Sequence, residues 1–327
     1  MEKILIILIV LNFFLYYKLK YFSKLFSIYD YPDKIRKFHK NKTPLIGGFF
    51  LFLNISTIVI YLFIYNQELN IFTSTKNLII FFLTLTSIFL LGIYDDKYYI
   101  SANKKLVLLT CIVFIFLKLD NSLIIKIINL SFLKKEVDLE DFGFYFTLFC
   151  FLLFINAFNM FDGINMQSAL YALFIFLILL INNVYIYISL PLIFAILFFL
   201  YYNYQSKIFL GDAGTHVLGF LISYLIIKSY NNYSVFSADF IFLIMAVPGY
   251  ELLRLAVSRL LINKHPFHAD RNHIHHLILK KYGYLYALII SQMLIVAPII
   301  IYSQTNLVVA LIFSFISYCL TIYFFRK

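Results

Sequence analysis

Five short clusters carry the chemistry this sequence can do. Gly92-Ile93-Tyr94-Asp95-Asp96-Lys97 sets two adjacent carboxylates at the end of an apolar run. In a helix both would sit beside the negative end of the dipole. That place is unfavourable unless a cation relieves it, either a divalent metal or one of Lys97, Lys104 and Lys105. In Asn156-Ala157-Phe158-Asn159-Met160-Phe161-Asp162-Gly163, the residues Asn156, Asn159 and Asp162 recur at three-residue spacing. They follow one track along a helix that Gly163 can end. Gly211-Asp212-Ala213-Gly214-Thr215 precedes a further apolar run. There Asp212 can cap the helix, or free N–H groups can receive a phosphate while the carboxylate holds a metal against it. Between His265 and His276 lie five of the seven histidines, among them His268, His273 and His275, together with Arg271. No Cys or Glu completes a zinc set there, and a guanidinium fork suits a pyrophosphate better. Finally, Arg36, Lys37, His39, Lys40 and Lys42 precede Pro44-Leu45-Ile46-Gly47-Gly48.

The elements that must position these clusters follow from composition. Of 327 residues 63% are apolar and 13% are charged, against about 25% charged in an ordinary soluble domain. Such a chain cannot hide its apolar surface from water, so its solvent is lipid, and its spanning segments must be helices. Eleven apolar runs qualify: Ile4 to Leu19, Leu45 to Tyr65, Asn77 to Tyr94, Leu106 to Leu117, Phe142 to Phe158, Ser168 to Ile181, Ile186 to Tyr202, His216 to Ile227, Phe240 to Ser258, Tyr284 to Tyr302 and Leu307 to Phe325. The first is long for a signal peptide and no small-residue cleavage site follows it, so it reads as a retained helix. Cys111, Cys150 and Cys319 stand singly and suggest neither disulfides nor a thiolate site. Residues 1–327 read as one all-α polytopic membrane domain.

Alternating the segments puts 20 of the 27 Lys and Arg residues on one side, with a net charge of +12 against −1 on the other. The positive-inside rule makes that side cytoplasmic, with the N-terminus outside and the C-terminus inside. All five clusters fall on this face. Acids to hold Mg²⁺, basic groups and N–H donors for phosphates, and a lipid-facing surround describe phosphoryl transfer from a soluble donor to a membrane-bound acceptor. The excess charge suits anionic headgroups or an anionic substrate, and nucleic acid is a poor reading of it. The rival class is a transporter that uses the Asp and His clusters for ion coupling, but such groups belong near the midplane rather than at helix ends.

Seven motifs in order make the chain resemble the polyprenyl-phosphate N-acetylhexosamine-1-phosphate transferases of glycosyltransferase family 4, nearer to the WecA type than to MraY. They are H-x4-P-x2-G-G at His39 to Gly48, D-D-K at Asp95 to Lys97, S-A-x2-K at Ser101 to Lys105, and N-A-F-N-M-x-D-G at Asn156 to Gly163. G-D-A-G-T at Gly211 to Thr215, P-x2-E at Pro248 to Glu251, and H-P-F-x2-D-R-x-H-I-H-H at His265 to His276 complete the set.

The resemblance implies an enzyme of the bacterial plasma membrane that moves an N-acetylhexosamine 1-phosphate, foremost that of N-acetylglucosamine, from its UDP-sugar to undecaprenyl phosphate. UMP would leave, and a cell-envelope glycan would be started on the cytoplasmic face. By the same resemblance Asp212 would bind Mg²⁺ or Mn²⁺, with Asp162 and Asn159 near metal and diphosphate. Asp95 and Asp96 would assist the acceptor phosphate, and Lys105 would contact phosphate. His39, Asn156, Asn165, Arg271, His273, His275 and His276 would contact substrate. Where the family continues D-G-x-D-G, this chain reads Asp162-Gly163-Ile164-Asn165-Met166. Asn165 keeps hydrogen-bonding capacity without charge, which leaves the nucleotide or sugar preference open. The oligomeric state, a homodimer included, is also open.

Overall fold

A computed structural model of the chain describes residues 1–32, 42–65, 71–133, 135–233, 235–264, 266 and 271–326. In chain order its elements are α1 (Glu2–Tyr17), α2 (Leu19–Phe26), β1 (Tyr29–Asp30), β2 (Thr43–Pro44), α3 (Gly47–Tyr65), α4 (Thr75–Tyr98), α5 (Ala102–Leu119), β3 (Ile127–Leu130) and β4 (Lys135–Asp138). There follow α6 (Gly143–Phe161), α7 (Gln167–Ile181), α8 (Ile186–Tyr204), α9 (Gly211–Tyr233), α10 (Ala238–Leu260), α11 (Ile274–Tyr282), α12 (Tyr284–Gln304) and α13 (Leu307–Arg326). β1 pairs antiparallel with β2, Tyr29 facing Pro44, and β3 pairs antiparallel with β4, Ile127 facing Asp138.

Each of the eleven apolar runs folds as a helix, and the chain is an all-α polytopic membrane protein. Seven of the helices, α3, α4, α6, α8, α10, α12 and α13, are long and apolar enough to cross a bilayer, and the bent pair α1–α2 would make an eighth. α7, with 15 residues, falls short of the roughly 20 that a span needs. Two further helices lie outside the apolar runs: α2 begins where the first run ends, and α11 lies between the ninth and tenth runs. Both are short and polar on one side, so neither stands out in an apolar chain.

The centre of the bundle is α9. From Ala213 to Ser229 every residue is buried, and α3, α4 and α6 pack around it. A helix that is apolar on all faces has to be enclosed in this way. Phe220 at its middle receives rings from three neighbours: Phe81 of α4 at 5.8 Å between centroids, Phe116 of α5 at 5.3 Å and Phe151 of α6 at 5.7 Å.

Polar groups mark the two ends of α9. Lys228, 0% exposed, donates to Ser122 Oγ at 2.5 Å, and Ser122 bonds the Asp120 carboxylate. Asn77 of α4 donates to the same carboxylate at 3.0 Å, so this buried cluster ties together α4, α9 and the segment after α5. Sixteen residues separate Lys228 from Asp212, about 24 Å along the helix, which is close to the thickness of a bilayer core. The cluster therefore lies at the opposite end of α9 from Asp212.

Removing one partner of a buried charge cluster leaves the other uncompensated. Lys228→Met should accordingly destabilise the protein by about 3 kcal/mol in thermal unfolding, and the double replacement Lys228→Met/Asp120→Asn should recover part of that loss. An unshifted midpoint in the single variant would show that the cluster contributes nothing.

Candidate active site

The site is assembled at the N-terminal end of α9. Gly211-Asp212-Ala213-Gly214-Thr215 forms the first turn of that helix rather than a loop before it, because flanking glycines let neighbours close in. An atom added at Gly48 of α3 would meet the backbone of Gly214 and Ala213, and one added at Gly92 of α4 would meet the backbone of Ala213. The amides of Gly47 and Gly48 donate to the carbonyls of Phe209 and Leu210 at 2.9 and 3.0 Å, and Phe209 N–H donates back to the Pro44 carbonyl at 3.0 Å. The Pro44-to-Gly48 segment is thus a clamp on the chain that enters α9.

Asp96 closes the arrangement from α4. Its carboxylate accepts from the amides of Asp212 at 2.8 Å and Ala213 at 3.1 Å. The helix N-terminus offered to a phosphate by the sequence is therefore already satisfied, by an anion supplied from within the chain. The same contact relieves the unfavourable position of Asp96 at the C-terminal end of α4: the positive end of one helix meets an acid on the negative end of another. Gly211, at φ +70°, occupies the left-handed region, and a side chain there would meet Asp96 Oδ2 at 2.6 Å.

Of the three candidate lysines, the structure brings Lys105 to the acids. Its Nζ donates to Asp212 Oδ2 at 2.9 Å and pairs with Asp95, whose other oxygen accepts from the Ile100 amide at 2.6 Å. From α6, Asn159 Nδ2 donates to Asp212 Oδ1 at 2.6 Å and to Thr215 Oγ at 2.7 Å. Asp95, Asp96, Lys105, Asn159 and Asp212 thus form one connected network drawn from α4, α5, α6 and α9. Within it Asp95 is buried, and the Asp212 side chain is 32% exposed.

Asp162 follows α6 and is bonded by the Ser168 hydroxyl of α7. Burial, reinforced by the negative charge of Asp212 and opposed by the Ser168 bond, pushes its carboxyl up to about 6. Next to it Gly163 carries the His275 ring, which any added side chain would strike. His275 is buried, and that burial, together with the neighbouring His276, His273 and Arg254, holds its pKa well below the ordinary histidine value, so the ring is neutral at pH 7. His273 and His276 lie partly exposed around it, at 5.3 and 4.4 Å between centroids, and Arg271 is partly buried just before them. The histidine segment therefore abuts the Asp162 turn.

Two candidates stand outside the network. Asn156 donates back to the Leu152 carbonyl of its own helix at 2.7 Å. Asn165 donates to Ser206 at 2.9 Å, and its carbonyl accepts from the Tyr284 hydroxyl at 3.1 Å. Met166 stands in the left-handed region at φ +68°, where the motif of the resembling family has glycine. His39 lies outside the described residues.

One supporting group carried only a weak signal, the P-x2-E motif. Glu251, fully buried on α10, accepts from Arg254 Nη2 at 2.8 Å, from the Ile274 amide that opens α11 at 2.8 Å, and from the Tyr318 hydroxyl of α13 at 2.5 Å. Arg254 in turn donates to the Asn272 carbonyl at 2.6 Å. The entry to α11, and with it the histidine segment, is fixed by this carboxylate.

Among the described residues no three His, Cys, Asp or Glu side chains are arranged as a ready metal cage. The donors present are oxygens, and Lys105 Nζ stands where two carboxylates share a cation. That set suits a hard ion such as Mg²⁺, which takes one or two carboxylates and completes its shell with water and substrate phosphate. Asp95 and Asp212 face that seat, and the resemblance names Asp212 and Asp162 as the residues that would hold the ion.

These features define a polytopic helical membrane protein with an oxygen-rich, partly buried acidic site at one end of its bundle. Residues 78–230, the stretch that supplies Asp95 through Asp212, match the profile of Glycosyl transferase family 4. A probable undecaprenyl-phosphate N-acetylglucosaminyl 1-phosphate transferase of Bacillus subtilis is 28% identical over 256 residues, 76% of this chain and 68% of the relative. An undecaprenyl-phosphate alpha-N-acetylglucosaminyl 1-phosphate transferase of Thermotoga maritima is 28% identical over 275 residues, 84% of this chain and 80% of its own. The Escherichia coli K12 protein of the same name is 26% identical over 279 residues, 82% and 73% of the two chains. Through the stretch that builds the site, the chain is thus similar to members of glycosyl transferase family 4.

Glu251→Gln weakens the acceptor at the entry to α11. It should speed amide hydrogen exchange at 272–276 by about tenfold, the effect of losing about 1.4 kcal/mol of local stability, while leaving the amides of Asp212 and Ala213 unchanged. Uniform acceleration across both regions would mean that Glu251 supports the bundle generally.

Proposed function

We propose that this protein transfers N-acetylglucosamine 1-phosphate from its UDP-sugar to undecaprenyl phosphate on the cytoplasmic face of a bacterial plasma membrane, releasing UMP. The observation that carries the reading is the Lys105–Asp212–Asn159 network at the N-terminus of a buried helix. It places acids, a lysine and an amide at one end of a bundle built for lipid. The names of the relatives supply the acceptor and the sugar. The excess of Lys and Arg on one side supplies the sidedness, with the N-terminus outside and the C-terminus inside. None of the relatives named above is a transporter.

In this reading an oxygen of the acceptor phosphate attacks the phosphorus that carries the sugar. The new P–O bond forms as the bond to the UMP oxygen breaks, and UMP leaves with that electron pair. A phosphate monoester is largely dianionic at pH 7, so the attack requires no strong base. A bound Mg²⁺ or Mn²⁺, held through Asp212 and Asp162, would neutralise the diphosphate charge.

Lys105 holds a positive charge beside the phosphates and keeps Asp95 and Asp212 from repelling one another. Asp96 acts through α9: by occupying the amides of Asp212 and Ala213 it fixes the direction in which the Asp212 carboxylate opens. Asn159 orients that carboxylate from its other oxygen. Arg271, His273 and His276 border the Asp162 turn and would receive the nucleotide portion of the donor. His275, neutral and buried, supports that border by packing on Gly163.

Asp212→Asn should abolish divalent-metal-dependent UMP release from UDP-N-acetylglucosamine in vesicles that contain undecaprenyl phosphate, lowering turnover by at least about 10³-fold. Purified protein offered a panel of UDP-sugars should form a lipid product whose mass fits an undecaprenyl-diphosphate N-acetylhexosamine. Turnover in Asp212→Asn equal to that of the parent, or no lipid product from any donor, would refute the assignment.

A further inference from the structure

α2 is bent by 66° from α1 and is only eight residues long, yet it is divided lengthwise into three faces. At 100° per residue, Leu19, Phe22, Ser23 and Phe26 point one way, and the structure packs this face on the bundle. Phe22 meets Phe49 and Phe50 of α3 at 5.3 and 6.3 Å, and Phe26 meets Phe49 at 4.7 Å. On one flank Lys20 and Lys24 are exposed, with Lys18 at the bend. On the other flank Tyr21 is 60% and Leu25 62% exposed.

A continuation of the span would drag the charged Lys20 and Lys24 side chains into hydrocarbon, which strongly disfavours them. A helix wholly in water would leave Tyr21 and Leu25 wet. Both difficulties vanish when the helix lies in the plane of the membrane, apolar flank toward the acyl chains and lysines among the headgroups. Its depth is fixed by its packing, because Phe49 and Phe50 stand next to Gly47 and Gly48, which clamp the start of α9. α2 therefore lies at the level of Asp212. Its exposed charges are all positive, which selects anionic over zwitterionic headgroups.

We propose that α2 is an in-plane interfacial helix that docks the protein on anionic phospholipid beside the candidate site. This assignment does not depend on the transferase reading.

The chain contains no Trp, so single replacements report on depth without background. Tyr21→Trp, Leu25→Trp and Lys24→Trp would each be placed in vesicles of phosphatidylcholine and phosphatidylglycerol, with the phosphatidylcholine brominated in the upper acyl chain. The first two should lose about half of their emission and the third less than about a fifth, since the apolar face of such a helix sits about 5–10 Å into the headgroup and acyl boundary. Aqueous iodide should reverse the order. Equal quenching at all three positions, as in a span, or none at Tyr21 and Leu25, as in water, would overturn the proposal.

The headgroup preference has its own arm. Phosphatidylglycerol added to detergent-purified protein should raise the thermal midpoint, and the rise should be lost in Lys20→Gln/Lys24→Gln, whose exposed side chains are not needed for folding. Inorganic phosphate at the same concentration should have no effect. An equal rise in the double variant, or with phosphate alone, would remove the claim for anionic lipid.

Discussion

The meeting of two helix ends governs this structure. α4 finishes with carboxylates where its own dipole disfavours them, and α9 begins with amides that nothing in α9 can satisfy. Asp96 resolves both, because Gly92 of α4 lets the Ala213 backbone close in and Gly211 leaves room for the carboxylate. At that junction Asp212 is held by Lys105 and Asn159 through its two carboxylate oxygens. The site is thereby coupled to the bundle: the helix that carries Asp212 is the same one that fills the centre, with Phe220 gripped by three neighbours and Lys228 anchored at the far end.

Around this junction the chain arranges two further layers. The Asp162 turn and the buried, neutral His275 lock together through Gly163, which brings the histidine segment to the acids. Glu251 then holds that segment through Arg254, Tyr318 and the first amide of α11. Binding groups on a loop have value only if something rigid holds the loop, and here a fully buried carboxylate does so.

Much of this was legible from residue types. In a chain with 13% charged residues, acids clustered at the ends of apolar runs stand out, and Asp95, Asp96, Lys105, Asn159 and Asp212 all enter one network. What the sequence could not resolve were choices settled by three-dimensional register. By helix geometry alone Lys97, Lys104 and Lys105 are equivalent; the family resemblance points to Lys105, and the start of α5 brings that lysine to the acids. The amides of α9 read as a phosphate cradle, and the structure places the Asp96 carboxylate on them. The sequence places Gly211 to Thr215 before the apolar run, whereas α9 begins at Gly211, because close packing by α3 and α4 leaves no local signal. Tyr318 and Ser206 carried no signal at all: their partners are 67 and 41 residues distant, and nothing local marks a hydroxyl that serves another segment.

In the proposed reaction, acids from separate segments share one divalent cation at the start of α9. Electron paramagnetic resonance of Mn²⁺ titrated into the purified protein in lipid nanodiscs tests this most directly. It should show one bound ion per chain, lost on replacing either Asp212 or Asp162 by Asn and retained on replacing Asp120, which lies near the far end of α9. Equal Mn²⁺ binding in all four proteins would contradict the account.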